Sequence, residues 1–555
     1  MRKMLFEILV CLALVNPVSS QSTIGLPAIR NYRNTDYHAA TEISDIGQDK
    51  RGLLYFANND GLLTFDGTYW KLYPLPNKAA IKSLAIDSAG RIYVGGEDEI
   101  GYFFPDGNGI LSYHSLKEKL PEIARQFADI WDIVQVGDAV FFRTIETIIR
   151  FKNNAIRTFD APGGWQLLTL IDGQLYAADK TKGLSIFRDE QWQEICPGAA
   201  DFHVTGLLEY KKDSLLVTTL KNGLFLLTPS GLVRKPTGAD ALLMNHLINR
   251  AQKIGPDRYA LGTATGGVLI LDGEGRLIDR MSSAEGLQNN TVLSVLADRD
   301  SNLWLGLDNG ISFIHYNTSV KLIRPVRDNQ LMSNAVQVAD RKLFIGTANG
   351  LYSVPLEAPV SDLSLLKGAF TEVANTKGQV WSLEEIDRAL LMGHQDGAFV
   401  IRDNTAMPVL EQQEQQGVWD FRVLGGGAGV GEGRGAGNDA IAAEGRHIIA
   451  GTYTGLRWID DAGGQFRAGK KMNDLYESLP VIAVDPQGVV WASHPYRGVF
   501  KNPLGFGGGG SSAGGAGGPA GAGEGGSLPY KHYGVGQGLP SDVNDYVTII
   551  RNKVV

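Results

Sequence analysis

Cysteine is almost absent from this 555-residue chain, which holds only Cys11 and Cys196. Cys11 lies in the first apolar run, so a processed chain keeps a single thiol. That excludes an internal disulfide and a cysteine-rich zinc site. Cys196 stands in Glu-Ile-Cys-Pro-Gly at the end of an expected strand, where a buried, incidental thiol is the expectation. A basic excess is also lacking. The formal net charge is −8, whereas phosphate binding needs a basic face, so no nucleic-acid partner is expected. Beyond the N-terminus no eighteen consecutive residues are apolar, and no later membrane span is expected.

Catalytic and metal signatures are scarce as well. The nine histidines are scattered, without His-Glu-x-x-His or His-x-His spacing. Asp298-x-Asp300-x-Asn302 opens like a calcium loop, but Leu303 and Asn309 occupy positions that need glycine and a carboxylate. Gly431-x-Gly433-x-x-Ala436 fits a dinucleotide fingerprint only on paper, since no strand–helix frame surrounds it. Glu97 and Glu99 read as a solvated turn. No catalytic residue, metal or cofactor is therefore expected, and the chain reads as a non-enzyme.

What is present begins at the N-terminus. Arg2 and Lys3 precede an apolar stretch from Met4 to Val15, broken only by Glu7, and Val18-Ser19-Ser20 follows Pro17. This is the layout of a secretory signal peptide over residues 1–20, with an uncleaved anchor as the alternative. The mature chain is then expected in the periplasm or outside the cell.

The dominant signal is a repeat. One copy runs Val292-Leu-Ser-Val-Leu-Ala-Asp298-Arg-Asp-Ser-Asn-Leu-Trp304-Leu-Gly306-Leu-Asp-Asn-Gly310-Ile-Ser-Phe313, and another runs from Ile43 to Phe65. Anchored on the residue opening the third strand, copies fall at Gly61, Gly101, Thr147, Gly183, Gly223, Gly267, Gly310, Gly350, Gly397, Gly455 and Gly498. Steps run from 36 to 47 residues, except one of 58. The apolar runs are short, rich in Val, Ile, Leu, Tyr and Phe, and bounded by Gly, Asp and Asn. This argues for strands of β-propeller blades rather than helical repeats. Asp49 to Gly52, Asp87 to Gly90 and Asp485 to Gly488 share Asp-x-x-Gly, a turn in which Asp bonds its own backbone and Gly supplies positive φ. Trp304 and Trp491 share a second-strand position and are expected to pack between blades.

The expected fold is all-β: a tandem β-propeller with one seven-bladed propeller over 22–325 and a second, incomplete one over 326–555. Glycine-rich inserts at 425–437 and 505–526 read as loops that can be removed. A further blade begins near Val543 to Ile550, which leads us to expect that the sequence is part of a longer protein.

These blades resemble the two-component regulator propeller repeat. The resemblance rests on Asp298 to Phe313, on Arg341 to Tyr352 with its Phe-Ile-Gly-Thr, on Ile449 to Leu456, and on the linkers Gly286-Leu-Gln-Asn-Asn290 and Gly538-Leu-Pro-Ser-Asp542. It implies the extracellular sensor region of a regulator whose output is a histidine kinase, a helix-turn-helix or another signalling module. It also implies a small-molecule ligand, such as a carbohydrate fragment or nutrient, and a membrane-anchored module or a second copy as partner. A secreted interaction scaffold and a polysaccharide-active hydrolase or lyase remain open. A ligand site is expected on the face that carries the loops leading into each blade's first strand, here called the inlet face. Its candidates are Asp129, Trp131, Trp165, His203, His246, Asn290 and Asp308.

Overall fold

Short apolar runs separated by Asp, Asn and Gly fold, in the computed structural model, into eleven four-stranded antiparallel sheets, a two-stranded pairing of Gly25–Leu26 with Leu322–Ile323 and a last two-stranded hairpin, among the described residues. The structure describes residues 23–122, 125–161, 163–197, 202–326, 331–356, 368–409, 416–424, 446–461, 464–472, 475–486, 488–502, 530–550 and 553–554. The expected signal peptide and both glycine tracts lie outside the described residues. The chain divides into two compact units, 1–323 and 324–555. No helix among the described residues is long and apolar enough to cross a membrane.

Unit 1 is a closed seven-bladed propeller. Blades 1 to 6 occupy residues 43–73, 81–115, 132–160, 165–196, 204–235 and 248–281. Blade 7 takes three strands from 292–314 and its outermost strand, Ile29–Tyr32, from the N-terminus. Each blade's first strand packs against the next blade's first strand, and the seventh packs against the first. The ring therefore closes through a hairpin-like union of two distant segments, which local sequence patterns do not show. Tyr32 locks this joint. Its ring stacks on Trp304 at 5.8 Å and meets Phe65 and Trp70 edge-on at 5.5 and 5.3 Å.

In unit 2, blades 8 to 11 occupy 333–372, 380–408, 418–471 and 481–533, followed by the pair Ile549–Ile550 and Lys553–Val554. The glycine tracts fall between strands Val418–Leu424 and Arg446–Thr452, and between Gly498–Asn502 and Lys531–Tyr533.

The core is a set of layers between adjacent blades rather than a single centre. Ile43, Phe56, Leu63 and Trp304 form one such layer, and Val268, Val292, Leu305 and Ile314 another. Inner-strand side chains alternate between neighbouring blades because the strand period is two. A glycine late in the second strand lets the next inner strand approach. At Gly306 an added Cβ would lie 2.6 Å from the Ile43 carbonyl oxygen, and at Gly262 it would lie 2.6 Å from Val292. This is the physical reason for the glycine of the repeat's Leu-Trp-Leu-Gly306 and Phe-Ile-Gly346.

Candidate functional site

The site is built by a defect repeated around the ring. In six blades of unit 1 the inner strand carries a β-bulge near its start: its second residue is left out of the ladder. These residues are Ser44, Lys82, Gln166, Thr205, Asn249 and Leu293. A bulge bends the strand and re-aims one side chain. All six line one cavity of about 480 Å³. Trp131 completes the circle from blade 3, where its N–H donates to the Arg143 carbonyl at 2.8 Å. The cavity thus takes residues from the inner-strand starts of all seven blades, on the inlet face of the ring.

Its floor is ionic. Asp132 Oδ2 accepts from Arg143 Nε at 2.5 Å, and Asp132 Oδ1 accepts from Arg250 Nη1 at 3.1 Å. Arg250 belongs to blade 6 and Asp132 to blade 3, so this pair crosses the ring. Burial opposes the charge of Asp132, but the two guanidiniums and the Leu168 N–H hold its carboxyl below the usual range. Asp45, half-buried, has its pKa pushed up by desolvation, against the opposing pull of Arg250. Near the rim, Lys82 Nζ donates to Glu42 Oε1 at 2.7 Å and to Asn59 Oδ1 at 3.0 Å. Burial, followed by Arg143 and Lys180, lowers the pKa of His203 and favours its neutral form.

Of the residues singled out from the sequence, Asp129, Trp131, His203 and Asp308 line the cavity. Trp131 is 36% exposed, leaving part of its ring free. The other three lie elsewhere. Trp165 is buried against Leu168, Phe187 and Trp192, with its indole N–H donated to the Phe159 carbonyl at 3.0 Å. Only its carbonyl serves the site, accepting from Arg143 Nη1 at 3.0 Å. His246 ends a short helix, Asp240–His246, and shares a hydrogen bond with Thr265. Asn290 braces a loop by accepting from Ser283 N–H and Gly267 N–H. Sequence reasoning missed the bulge residues, Gln166 and Asn249 among them. Their signal is positional: each directly follows the first apolar residue of an inner strand.

Comparison with protein-family models gives one match, over residues 286–309, to the model described as two component regulator propeller. The chain carries that repeat. Residues 286–309 span the blade 7 linker, its bulge and the Trp304 strand, and end beside Asp308 in the cavity wall. Comparison with curated proteins gives no match. Among solved structures, the chain is similar to the extracellular domain of a hybrid two component system, BT4673, from B. thetaiotaomicron. Identity is 17%, over 86% of this chain and 66% of that one, with a TM-score of 0.44. The chain thus spans just under two thirds of that domain. It is also similar to the corresponding domain of BT3049 from the same organism (14% identity, 95% of this chain and 81% of that one, TM-score 0.28). A third similar structure is virginiamycin B lyase from Staphylococcus aureus (17% identity, 52% of this chain and 98% of that one, TM-score 0.40).

Proposed function

We propose that this chain is the ligand-sensing propeller region of a two-component-type regulator, working in the periplasm or outside the cell. The unit 1 cavity would hold a small polar ligand, and an oligosaccharide fragment fits it best. The supporting observation is the convergence of bulge residues from six blades, with Trp131 from the seventh, on one cavity. A ligand there touches every blade at once, so its binding energy bears on the geometry of the whole ring. The exposed part of the Trp131 ring suits the C–H face of a pyranose. Asp129, Gln166 and Asp308 offer groups for its hydroxyls. The ring would pass the signal to a membrane-anchored module or to a second copy. The reading is of binding without turnover.

The test is calorimetric titration of a glycan-fragment library into the full chain, with chromatography of the ligand afterwards. Trp131→Ala and Asp308→Ala should each weaken binding at least tenfold, about 1.4 kcal/mol. Trp165→Phe should leave affinity unchanged, and the glycan should be recovered intact. A bound glycan indifferent to both cavity substitutions would place its site elsewhere, and a cleaved one would make the chain an enzyme.

A further inference from the structure

Unit 2 repeats, position by position, the framework that builds the unit 1 cavity, but fills it differently. The residue left out of the ladder at the inner-strand bulge is Asn334 in blade 8, Trp381 in blade 9 and Trp419 in blade 10. The residue after the second strand, Asp308 in blade 7, is Gln395 in blade 9 and Tyr453 in blade 10. The equivalence rests on a shared bond: Asp308, Gln395 and Tyr453 each donate their N–H to the loop leading into the inner strand, at Thr291, Gln379 and Gly417. Positions that in unit 1 carry mostly polar and charged side chains thus bring three aromatic rings together in unit 2.

The three rings pack against one another at tilted angles. Trp381 and Trp419 have centroids 4.3 Å apart, and Trp419 and Tyr453 4.8 Å apart. Their polar edges are anchored. Trp381 Nε1–H donates to Tyr453 Oη, and Trp419 Nε1–H to Ser478 Oγ, each at 3.0 Å. Tyr453 lies against Gly417, where an added Cβ would come 2.4 Å from the ring. That glycine is therefore required for the ring to sit where it does.

Two other readings of the cluster are packing between blades and a cation cage. Trp381, Trp419 and Tyr453 are more open than Trp165 and Trp304, which are 5% exposed, and share the partial burial of the packed Trp70, Trp192 and Trp491. An aromatic cage for a cation needs room between its walls, and rings whose centroids lie 4.3 to 4.8 Å apart already touch. What remains is a packed aromatic cluster with anchored edges, partly open to solvent.

We propose that Trp381, Trp419 and Tyr453 form a second ligand site, which stacks a pyranose ring of a neutral oligosaccharide. Asn334, Gln395, Gln416 and Thr454 occupy the neighbouring loop and bulge positions, and Gln416 is held by a hydrogen bond to Thr454. Amides and hydroxyls suit sugar hydroxyls better than they suit a charged group. The site uses none of the residues that line the unit 1 cavity, so the two are tested separately.

The experiment is titration of the full chain with maltohexaose, cellohexaose, laminarihexaose and mannohexaose, with saturation-transfer NMR to map the sugar protons in contact. At least one hexaose should bind, with saturation strongest on ring C–H protons. Trp419→Ala and Trp381→Ala should each weaken it at least tenfold, and Trp131→Ala should not. Tyr453→Phe keeps the ring and should cost less than threefold, and a wild-type circular dichroism spectrum and Tm in the two alanine variants separate loss of the site from misfolding of the blade. Binding of none of the four, or binding that survives both alanine substitutions, overturns the proposal. Binding lost only in Trp131→Ala overturns it too while leaving the unit 1 reading in place.

Discussion

At the scale of single residues, the repeat is held by turn caps that recur more faithfully than the residues that make them. The residue that closes the second strand, or in blade 3 directly follows it, accepts an N–H of the following turn in nine of the eleven blades. Asn58, Thr144, Asp179, Thr219, Thr263, Thr347 and Thr452 do so through oxygen, and His394 and His494 through Nδ1. A histidine can do this only while Nδ1 is unprotonated. Burial is the main cause that lowers the His394 pKa from 6.5, with Asp396 pulling the other way. The unfolded chain therefore takes up the proton first. Stability is full above about pH 6.5 and falls as the pH drops below it. His394→Thr installs the cap most blades use and should flatten this slope, measured as Tm at pH 7.5 and 5.5. If wild type and variant lose the same number of degrees, His394 is not the titrating cap. A second residue-scale device joins turn to strand. Asp298, in an Asp-x-x-Ser turn, and Asp485, in an Asp-x-x-Gly turn, accept N–H bonds within those turns and also the indole N–H of Trp304 and Trp491, each at 3.1 Å. The pairing of turn Asp and strand Trp six residues apart was visible in the sequence, but the bond between them was not.

At the scale of strands, neighbouring blades are tied by side chains because inner strands of adjacent blades share no ladder. Asp45 accepts from Leu84 N–H and Asp132 from Leu168 N–H, while Gln166 accepts from Val204 N–H. Asn249 donates to the Val292 carbonyl and Asn334 to that of Val380. The strand that closes unit 1, Ile29–Tyr32, depends instead on its ladder to Gly310–Ile314 and on the Tyr32 ring. Tyr32→Ala removes a buried aromatic and should cost about 3 kcal/mol or more. Tyr32→Phe keeps the ring, and a loss well under 1.5 kcal/mol is expected. Urea unfolding followed by tryptophan fluorescence reads both, since Trp70 and Trp304 touch the ring. Equal losses in the two variants would show that the hydroxyl, not the aromatic joint, matters.

At the scale of the whole unit, the Arg250–Asp132–Arg143 bar links opposed blades beneath the cavity. Asp132 is 8% exposed at its side chain. Asp132→Asn leaves two guanidiniums facing a neutral group, and breaking such a buried arrangement typically costs about 3 to 5 kcal/mol. The carboxyl is held below its ordinary pKa, so its contribution is present at neutral pH and lost as the pH falls through the carboxylate range. The loss in Asp132→Asn should therefore be large at pH 7 and shrink towards pH 3, read as the difference in urea midpoints. A difference that stays constant with pH would mean that Asp132 acts through packing alone.

Much was settled by the sequence alone, because it depends on contacts between residues close along the chain. Short β-rich runs, Asp-x-x-Gly turns and a period near forty residues identify blades. The third strands open at Gly61, Gly183, Gly310, Gly350, Gly397, Gly455 and Gly498, as the spacing required, and at Leu224 and Val268 just after Gly223 and Gly267. Only the tertiary structure decided which side chains meet. Trp131 and Trp165 look alike in the sequence, each near the start of an inner strand. Trp131 reaches the axis and Trp165 turns into the blade interface. A one-residue shift changes which way a side chain points along a strand, and bulges supply that shift without marking it in composition. The union of Ile29–Tyr32 with the 292–314 strands of blade 7, the Arg250–Asp132 bar and the contact of Trp381 with Trp419 join residues far apart in the sequence. Distances of that kind are fixed by blade-on-blade packing and, in unit 1, by ring closure, which no local pattern encodes.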